Sequence, residues 1–345
     1  MTSTPSVLII GLGSIGQRHL RNLVTLGIED ITLFSTSYRG VSDSLLKRHR
    51  VAPDLDSALS RRPDAVIVAT PTAHHLTTAI RAAEAGCHLF IEKPISHSAD
   101  GIERLFDLVD RQDLIVQTGF QFRFHPSLRS IRDWIQSGAI GGVASVRAVW
   151  GEYLPSWHPW EDYRYGYSAR ADLGGGVILT LCHPFDYLRW LLGDVDSLMA
   201  MCDSRSGLAL DVEDVAAILM RFRNGAIGTL HLDYLEYPQH HAFTILGQRG
   251  RITWDNSDGA ARLYDLDGRE AEHYQPHTDF ERNTLFLDEM AHFLDCIATG
   301  RQPDCSLSDG IRALDLCLTV KDAAARPERM VVRSSLPSDT EKVPQ

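Results

Sequence analysis

Gly11-Leu12-Gly13-Ser14-Ile15-Gly16 constrains this chain more than any other stretch, because of what flanks it. Val7-Leu8-Ile9-Ile10 precedes it, an apolar run with three β-branched members, and Leu20 and Leu23 follow three residues apart. That order predicts a buried strand, a glycine turn and a helix, the context in which G-x-G-x-x-G becomes a dinucleotide-binding fingerprint. Gly11 permits the turn, Gly13 lets the backbone approach a pyrophosphate, and Gly16 lets the helix pack on the strand. The free N–H groups of Ser14 and Ile15 and the positive helix end then face the phosphates.

Strand and helix alternate over the first 120 residues. Strands are predicted at 31–34, 65–69, 87–91 and 114–117, with helices over 75–85 and 98–109 between them. The run 65–69 is continuously apolar, as in a parallel strand buried on both faces. Strand, helix, strand at this spacing predicts right-handed crossovers and a doubly wound α/β sheet.

The pattern changes after Gly119. A helix is predicted over 126–137, and residues 143–150 alternate at period two, the mark of a half-buried antiparallel strand. A loop rich in Trp, Tyr and Pro spans 153–167, and a helix is expected over 173–192. Strands follow at 215–222, 226–234, 242–246 and 251–254, with Asn224-Gly225 as a hairpin turn. Helices at 280–298 and 308–325 close the chain. A length of 345 residues suits two domains. These are placed at 1–121 for dinucleotide binding and 122–333 for substrate binding and oligomerisation, with a polar, mobile tail over 334–345. A large open sheet needs a cover, which either helices or a second subunit can supply, so a homodimer or homotetramer through the second sheet is expected.

Hydrophobic residues make up 44% of the chain, enough for substantial cores, and the net charge of −11 without a Lys/Arg run argues against a nucleic-acid surface. No apolar run approaches the roughly 18 residues of a membrane span. The N-terminus has no basic segment of a signal peptide. Six scattered cysteines without a C-x-x-C pair suit free thiols in a reducing cytoplasm and no metal site.

The second strand of a dinucleotide fold commonly ends in an acidic residue that binds the ribose 2′-hydroxyl of NAD. Here Ser35, Thr36, Ser37 and Arg39 stand there, with no carboxylate from 31 to 42. Three hydroxyls and a guanidinium suit a 2′-phosphate, so NADP is favoured, with NAD still possible and a merely polar loop as the plainer alternative. Ala69, Thr70 and Pro71 end the next strand on the edge where cofactor binds. His74 and His75 lack a third ligand for a metal and read as solvated residues at a helix start, His74 beside the cofactor. Glu92-Lys93-Pro94 ends a further strand on that edge. A lysine there points at the cofactor cleft, although on spacing alone a surface lysine is the plainer reading.

Taken together, 11–16, Ala69-Thr70-Pro71, Glu92-Lys93-Pro94 and Gly174-Gly175-Gly176 with His183 and Asp186 resemble the Gfo/Idh/MocA oxidoreductases, relatives of glucose–fructose oxidoreductase and inositol dehydrogenase. The likeness runs from Ser6 to about Arg333. It implies an N-terminal Rossmann domain and a C-terminal α/β domain on a large, mostly antiparallel open sheet. It implies an NAD(P)-dependent dehydrogenase or reductase acting on a secondary hydroxyl or ketone of a sugar, sugar acid, cyclitol or nucleotide sugar. By the same likeness Lys93 matches the catalytic lysine and His183 the catalytic histidine. The chemistry agrees: a histidine is a suitable general base for the hydroxyl proton, and an ammonium stabilises the developing alkoxide. Without the likeness, His183 reads as a core histidine.

One position departs. Many relatives carry an Asp three or four residues before this histidine, where this chain has Thr180 and Leu179. Either Asp186, three residues after His183 on the same helical face, or Asp172 supplies the charge, or Lys93 and His183 act alone. The gap also keeps open a nucleotide-sensing protein without hydride transfer, and a non-redox lyase or glycosidase holding NAD tightly is a third reading. Trp160, Tyr163 and Arg164 of the aromatic loop, with Gln121 and Thr180, complete the candidate substrate contacts. Aromatic faces stack on sugar C–H faces and Arg164 suits an acidic or phosphorylated group; an aromatic-anchored crossover is the alternative.

Overall fold

The computed structural model describes residues 4–326 other than Arg39 and His158, so the expectations for Arg39 and for the tail lie outside the described residues. The first sheet is built from β1 (Val7–Ile10), β2 (Ile31–Phe34), β3 (Arg50–Val51), β4 (Ala65–Val68), β5 (His88–Glu92) and β6 (Val116–Gly119). Helices α1 (Ser14–Thr25), α2 (Asp43–Arg48), α3 (Leu55–Leu59), α4 (His75–Glu84) and α5 (Ile102–Arg111) connect them. All pairs are parallel in the order β3-β2-β1-β4-β5-β6. Strand order reverses between β1 and β4, which opens a crevice at their carboxyl ends. The apolar runs behave as parallel strands should: every residue of β1 and β4 is buried.

The second sheet follows α6 (Pro126–Gln136). Its strands are β7 (Val143–Gly151), β8 (Val195–Asp203), β9 (Val215–Phe222), β10 (Ile227–Asp233), β11 (His240–Gly247), β12 (Arg251–Asp255), β13 (Ala261–Tyr264) and β14 (Glu270–Tyr274). They lie in the order β14-β13-β12-β11-β7-β10-β9-β8, antiparallel except for β7 beside β10. Asn224-Gly225 makes the β9–β10 hairpin, with Gly225 at φ +90°. Period-two burial marks β9, and β8 from Ser197 onward, but Leu198-Met199-Ala200-Met201-Cys202 is apolar on both faces of β8, so its sequence shows no alternation. The face opposite the core exposes Met199, Met201, Leu219 and Ile227 on β8, β9 and β10.

The helix expected over 173–192 is instead α7 (Val177–Thr180) and α8 (His183–Leu192), preceded by a short 3-10 turn, Ala171–Leu173. Gly174 and Gly176 adopt φ +77° and +101°, and a Cβ on Gly176 would fall 2.3 Å from the Glu213 carboxylate. That conformation excludes a continuous helix through the triple glycine.

The last two helices return to the first sheet. On α9 (Arg282–Thr299), Met290, Phe293 and Cys296 share a core with Val7, Ile9, Leu20 and Phe90. The segment before α10 (Leu307–Ala325) covers the edge of β6, where Thr118 N–H donates to the Cys305 carbonyl at 2.9 Å. No described helix is long and apolar enough to cross a membrane, and all six cysteines are free thiols.

Candidate functional site

The glycine turn is shaped by contact as much as by torsion. Gly11 sits at φ +96°, and a Cβ there would meet the Ala69 carbonyl oxygen at 2.4 Å; one on Gly16 would meet the Gly11 carbonyl at 2.0 Å. Nothing lies within 4 Å of a Cβ on Gly13, which caps α1 with no side-chain hydrogen bond. The turn therefore presents open space in front of the N–H groups of Ser14 and Ile15, a cradle that fits a dinucleotide pyrophosphate. Ser35 Oγ donates to the Ser37 carbonyl at 2.6 Å and Ser35 N–H to Tyr38 Oη at 3.2 Å, while Thr36 and Ser37 are exposed.

The two histidines after Pro71 part company. His74 is exposed, but His75, expected to be solvated, is buried against the expectation. Its Nδ1 lies 2.7 Å from the Pro94 carbonyl and its Nε2 2.7 Å from the Thr70 carbonyl. Burial holds this ring below the usual histidine range, opposed by the two carbonyls. His75 thereby ties the end of β4 to the loop after β5.

At the end of β5, Glu92 accepts from Lys93 N–H at 3.1 Å and pairs with His19 Nε2 of α1 at 2.7 Å. Burial raises this carboxyl, but the His19 hydrogen bond and the charges of His19 and Lys93 outweigh it and hold the group below the usual range. Lys93 Nζ donates to the Thr180 carbonyl of α7 at 2.7 Å. Burial disfavours its cation, yet the charges of Tyr167, Cys182 and Glu92 prevail and raise it above the ordinary lysine value. At neutral pH, where Cys182 is a thiol, the Glu92 carboxylate and the Thr180 carbonyl are the groups that favour the ammonium of Lys93.

His183 begins α8 and is 2% exposed. Its ring lies edge-on to Phe122 and Phe120, 5.0 and 5.5 Å between centroids, and stacks 5.5 Å from Trp150. Nδ1 is buried without a hydrogen-bond partner. Burial, then the charges of Lys93, His241 and Arg282, push the ring well below its usual pKa. It is neutral at neutral pH, and its Nδ1 has no hydrogen-bond partner among the described residues.

Asp186 does not join them. Its carboxylate accepts from Arg123 Nε at 2.9 and 3.1 Å and Nη2 at 2.5 Å, both side chains being buried. Burial raises its pKa, with Arg123 opposing. The carboxylate is thus committed to Arg123 of the turn Gln121–Phe124, on which His183 also packs through Phe122, and among the described residues no hydrogen bond joins Asp186 to His183 in the expected orienting role. Asp172 is likewise engaged, paired with Arg170 at the surface. Gln121 is buried in its turn. In the aromatic loop Trp160 is exposed, Arg164 pairs with Asp162 at 2.8 Å, and Tyr163 Oη accepts from Ala209 N–H at 3.4 Å.

Other groups gather around Lys93 and His183 that sequence reasoning passed over. Trp150 stacks on His241 at 4.1 Å and 4° and donates from Nε1 to Glu152 at 2.8 Å. Glu152 is raised by burial, while Trp150, Arg282 and Lys93 oppose. Tyr167 acts electrostatically on Lys93. Strand alternation could have indicated that Trp150 and Glu152 share a face; nothing local could have indicated Arg282, which is remote in sequence. A separate cavity of about 390 Å³ shares the triple-glycine turn and Leu179 but is lined by neither Lys93 nor His183, and includes His97, Glu213 and Lys321.

Residues 6–120 match an oxidoreductase family with an NAD-binding Rossmann fold, and residues 128–253 match the GFO/IDH/MocA C-terminal domain. The myo-inositol 2-dehydrogenase of Thermotoga maritima is 29% identical over 329 residues, 91% of this chain and 94% of that one. The rhizopine catabolism protein MocA of Rhizobium meliloti is 27% identical over 265 residues, 73% of this chain and 80% of its own. A levoglucosan dehydrogenase solved with NADH superposes with a TM-score of 0.84 at 20% identity, covering 94% of this chain and 97% of the other, which establishes likeness of fold.

Proposed function

We propose a function from one premise: this chain belongs to the Gfo/Idh/MocA oxidoreductases, with an NAD-binding Rossmann half. The reaction is hydride transfer between a nicotinamide cofactor and a secondary hydroxyl or ketone of a carbohydrate-like substrate. Relatives named for inositol and rhizopine support that class. The observation that carries the reading is the juxtaposition at Lys93: an ammonium held on the Thr180 carbonyl beside a neutral, buried His183.

A bound nicotinamide would supply the hydride acceptor, or in reverse the donor, for the carbinol carbon. The hydroxyl proton leaves for the His183 ring, and Lys93 stabilises the alkoxide that develops as it departs. Gly11, Gly13 and Gly16, with Ser14 and Ile15, hold the pyrophosphate; Ala69, Thr70, Pro71, His74 and Glu92 border the cofactor. Ser35, Thr36 and Ser37, without a carboxylate near them, favour NADP over NAD. Gln121, Thr180, Tyr163, Trp160 and Arg164 remain candidate substrate contacts. The exposed apolar face of β8, β9 and β10 supports a homodimer or homotetramer.

Turnover of myo-inositol and levoglucosan with NAD and NADP, read by nicotinamide absorbance, tests the reaction. A Lys93→Ala protein with full turnover on an accepted substrate overturns the mechanism. A larger thermal shift with NAD than with NADP overturns the cofactor preference. Light scattering that finds a monomer removes the oligomer.

A further inference from the structure

His183 has no carboxylate to hold its ring. Positions 179 and 180 carry Leu179 and Thr180, Asp186 is bound to Arg123, Asp172 to Arg170 and Glu92 to His19. Its Nδ1 is buried without a hydrogen-bond partner among the described residues. What surrounds the ring is aromatic. Phe120 and Phe122 meet it at steep angles, 79° and 74°, and the Trp150 indole stacks on it with 5.5 Å between centroids and 28° between planes.

The indole is itself firmly held. Trp150 stands near the end of β7 and is buried. Its Nε1 donates to Glu152 at 2.8 Å. His241 of β11, directly opposite it in the sheet register, stacks on the indole at 4.1 Å and 4°. The Nε2 of His241 lies 3.1 Å from Tyr187 Oη, and Tyr187 follows His183 by one turn of α8. The Phe122 ring touches Trp150, His183, Tyr187 and His241 alike. The plane of the indole is thus fixed from two strands, from α8 and from the turn Gln121–Phe124, and His183 packs against that plane.

In the proposed reaction the hydroxyl proton passes to His183, and the ring becomes an imidazolium. Burial opposes that cation, and so do the charges of Lys93, His241 and Arg282. The face of an indole is electron-rich, and a cation within about 6 Å of its centre is attracted to it, most strongly where water is excluded. The hydrogen bond from Nε1 to Glu152 polarises the indole in the same sense.

We propose that Trp150 is the positioning residue of His183: its indole sets the plane of the ring and stabilises the imidazolium as the proton arrives, in place of a carboxylate partner. This rests on the oxidoreductase reading and deepens it. The proton moves from the hydroxyl to the His183 ring, and Trp150 is chemically unchanged by the step.

The test uses the full chain with myo-inositol and levoglucosan as substrates and NAD and NADP as cofactors. Tryptophan carrying one or four ring fluorines is placed at position 150. Fluorine drains the π face and hardly alters the shape of the ring, so packing is kept. The kcat is expected to fall stepwise with fluorine number, about 5- to 30-fold for the fourfold substitution, the scale of a cation–π contact out of water. KM and NADH affinity are expected to change little. Trp150→Leu is expected to lose as much and Trp150→Phe less, with Tm measured for each. In parallel, NMR of carbon-13-labelled histidine follows protonation of His183, whose signal is identified by its loss in His183→Gln. Its proton affinity is expected to fall by a similar factor on fluorination. A kcat indifferent to fluorine, a loss confined to KM or NADH binding, or an unchanged or raised proton affinity overturns the proposal. So does a His183 that stays neutral down to the acid limit of the fold. Absence of turnover on both substrates with both cofactors strikes the oxidoreductase reading instead; the titration needs no substrate and decides the indole contact separately.

Discussion

The ammonium of Lys93 and the carbonyl oxygen of Thr180 lie 2.7 Å apart, joining the end of β5 to the last residue of α7. The partner is backbone, so the absence of a carboxylate at position 180 does not release the lysine. The side chain that differs from many relatives and the atom that holds Lys93 belong to the same residue but are chemically independent.

Replacing Lys93 with Met removes the charge and keeps most of the stem. The expected loss in turnover is about 10²- to 10⁴-fold, the range for one electrostatic or proton-transfer group in a dry site. NADH binding, followed by fluorescence, separates this from loss of the cofactor.

The Arg123–Asp186 pair is buried at both ends. Asp186→Asn leaves the buried Arg123 guanidinium with Asp309, 3.2 Å away, as its remaining carboxylate and is expected to cost about 2–3 kcal/mol, seen as a lower Tm. The double variant Arg123→Leu/Asp186→Leu is expected to recover much of that loss. A lower substrate affinity at unchanged Tm in Asp186→Asn would return Asp186 to the substrate site.

His125 is pushed by burial from 6.5 to about 4, and its Nδ1 accepts from Ser127 N–H to cap α6. Below pH 6.5 the unfolded chain takes up a proton that the native chain refuses until about pH 4, so stability falls as pH falls across that window. The contribution is about 3 kcal/mol once both pKa values are passed. His125→Asn, which can keep the cap, is expected to flatten the decline of Tm with acid.

Glu289 has the opposite sign. It is fully buried on α9 with neither carboxyl oxygen hydrogen-bonded, and burial, then the charges of Glu92 and Asp186, raise it well above its usual range. Above the ordinary carboxyl range the native state keeps a proton that the unfolded chain has released, so stability falls as pH rises towards the folded value. Glu289→Gln is expected to raise Tm most at mildly alkaline pH and to flatten that slope. An equal change in Tm at all pH values would show that Glu289 is not protonated in the native state.

The first sheet was legible because its signals are local. Continuous apolar runs, glycine stops and the flanked glycine turn each act within a few residues, and β1, β2 and β4 fall where those signals lie. The hairpin at Asn224-Gly225 was legible for the same reason. The broken helix at 174–182 was not, because the break depends on Glu213, a residue distant in sequence, beside Gly176. His75 was misread as solvated because two carbonyls brought by different strands receive its ring.

By itself, then, the sequence determined a dinucleotide turn, a parallel first sheet, a largely antiparallel second one and the candidacy of Lys93 and His183. The turn and the sheets follow from short-range sterics and from the period of apolar residues, whereas Lys93 and His183 were singled out by the likeness to the Gfo/Idh/MocA oxidoreductases. Only the tertiary structure decided which charges meet. Asp186 binds Arg123, Lys93 holds a backbone carbonyl, and Asn283 of α9 meets Arg18 and Asn22 of α1. Charges act through space, and their partners are set by how α8 and α9 pack, which no local window of sequence records.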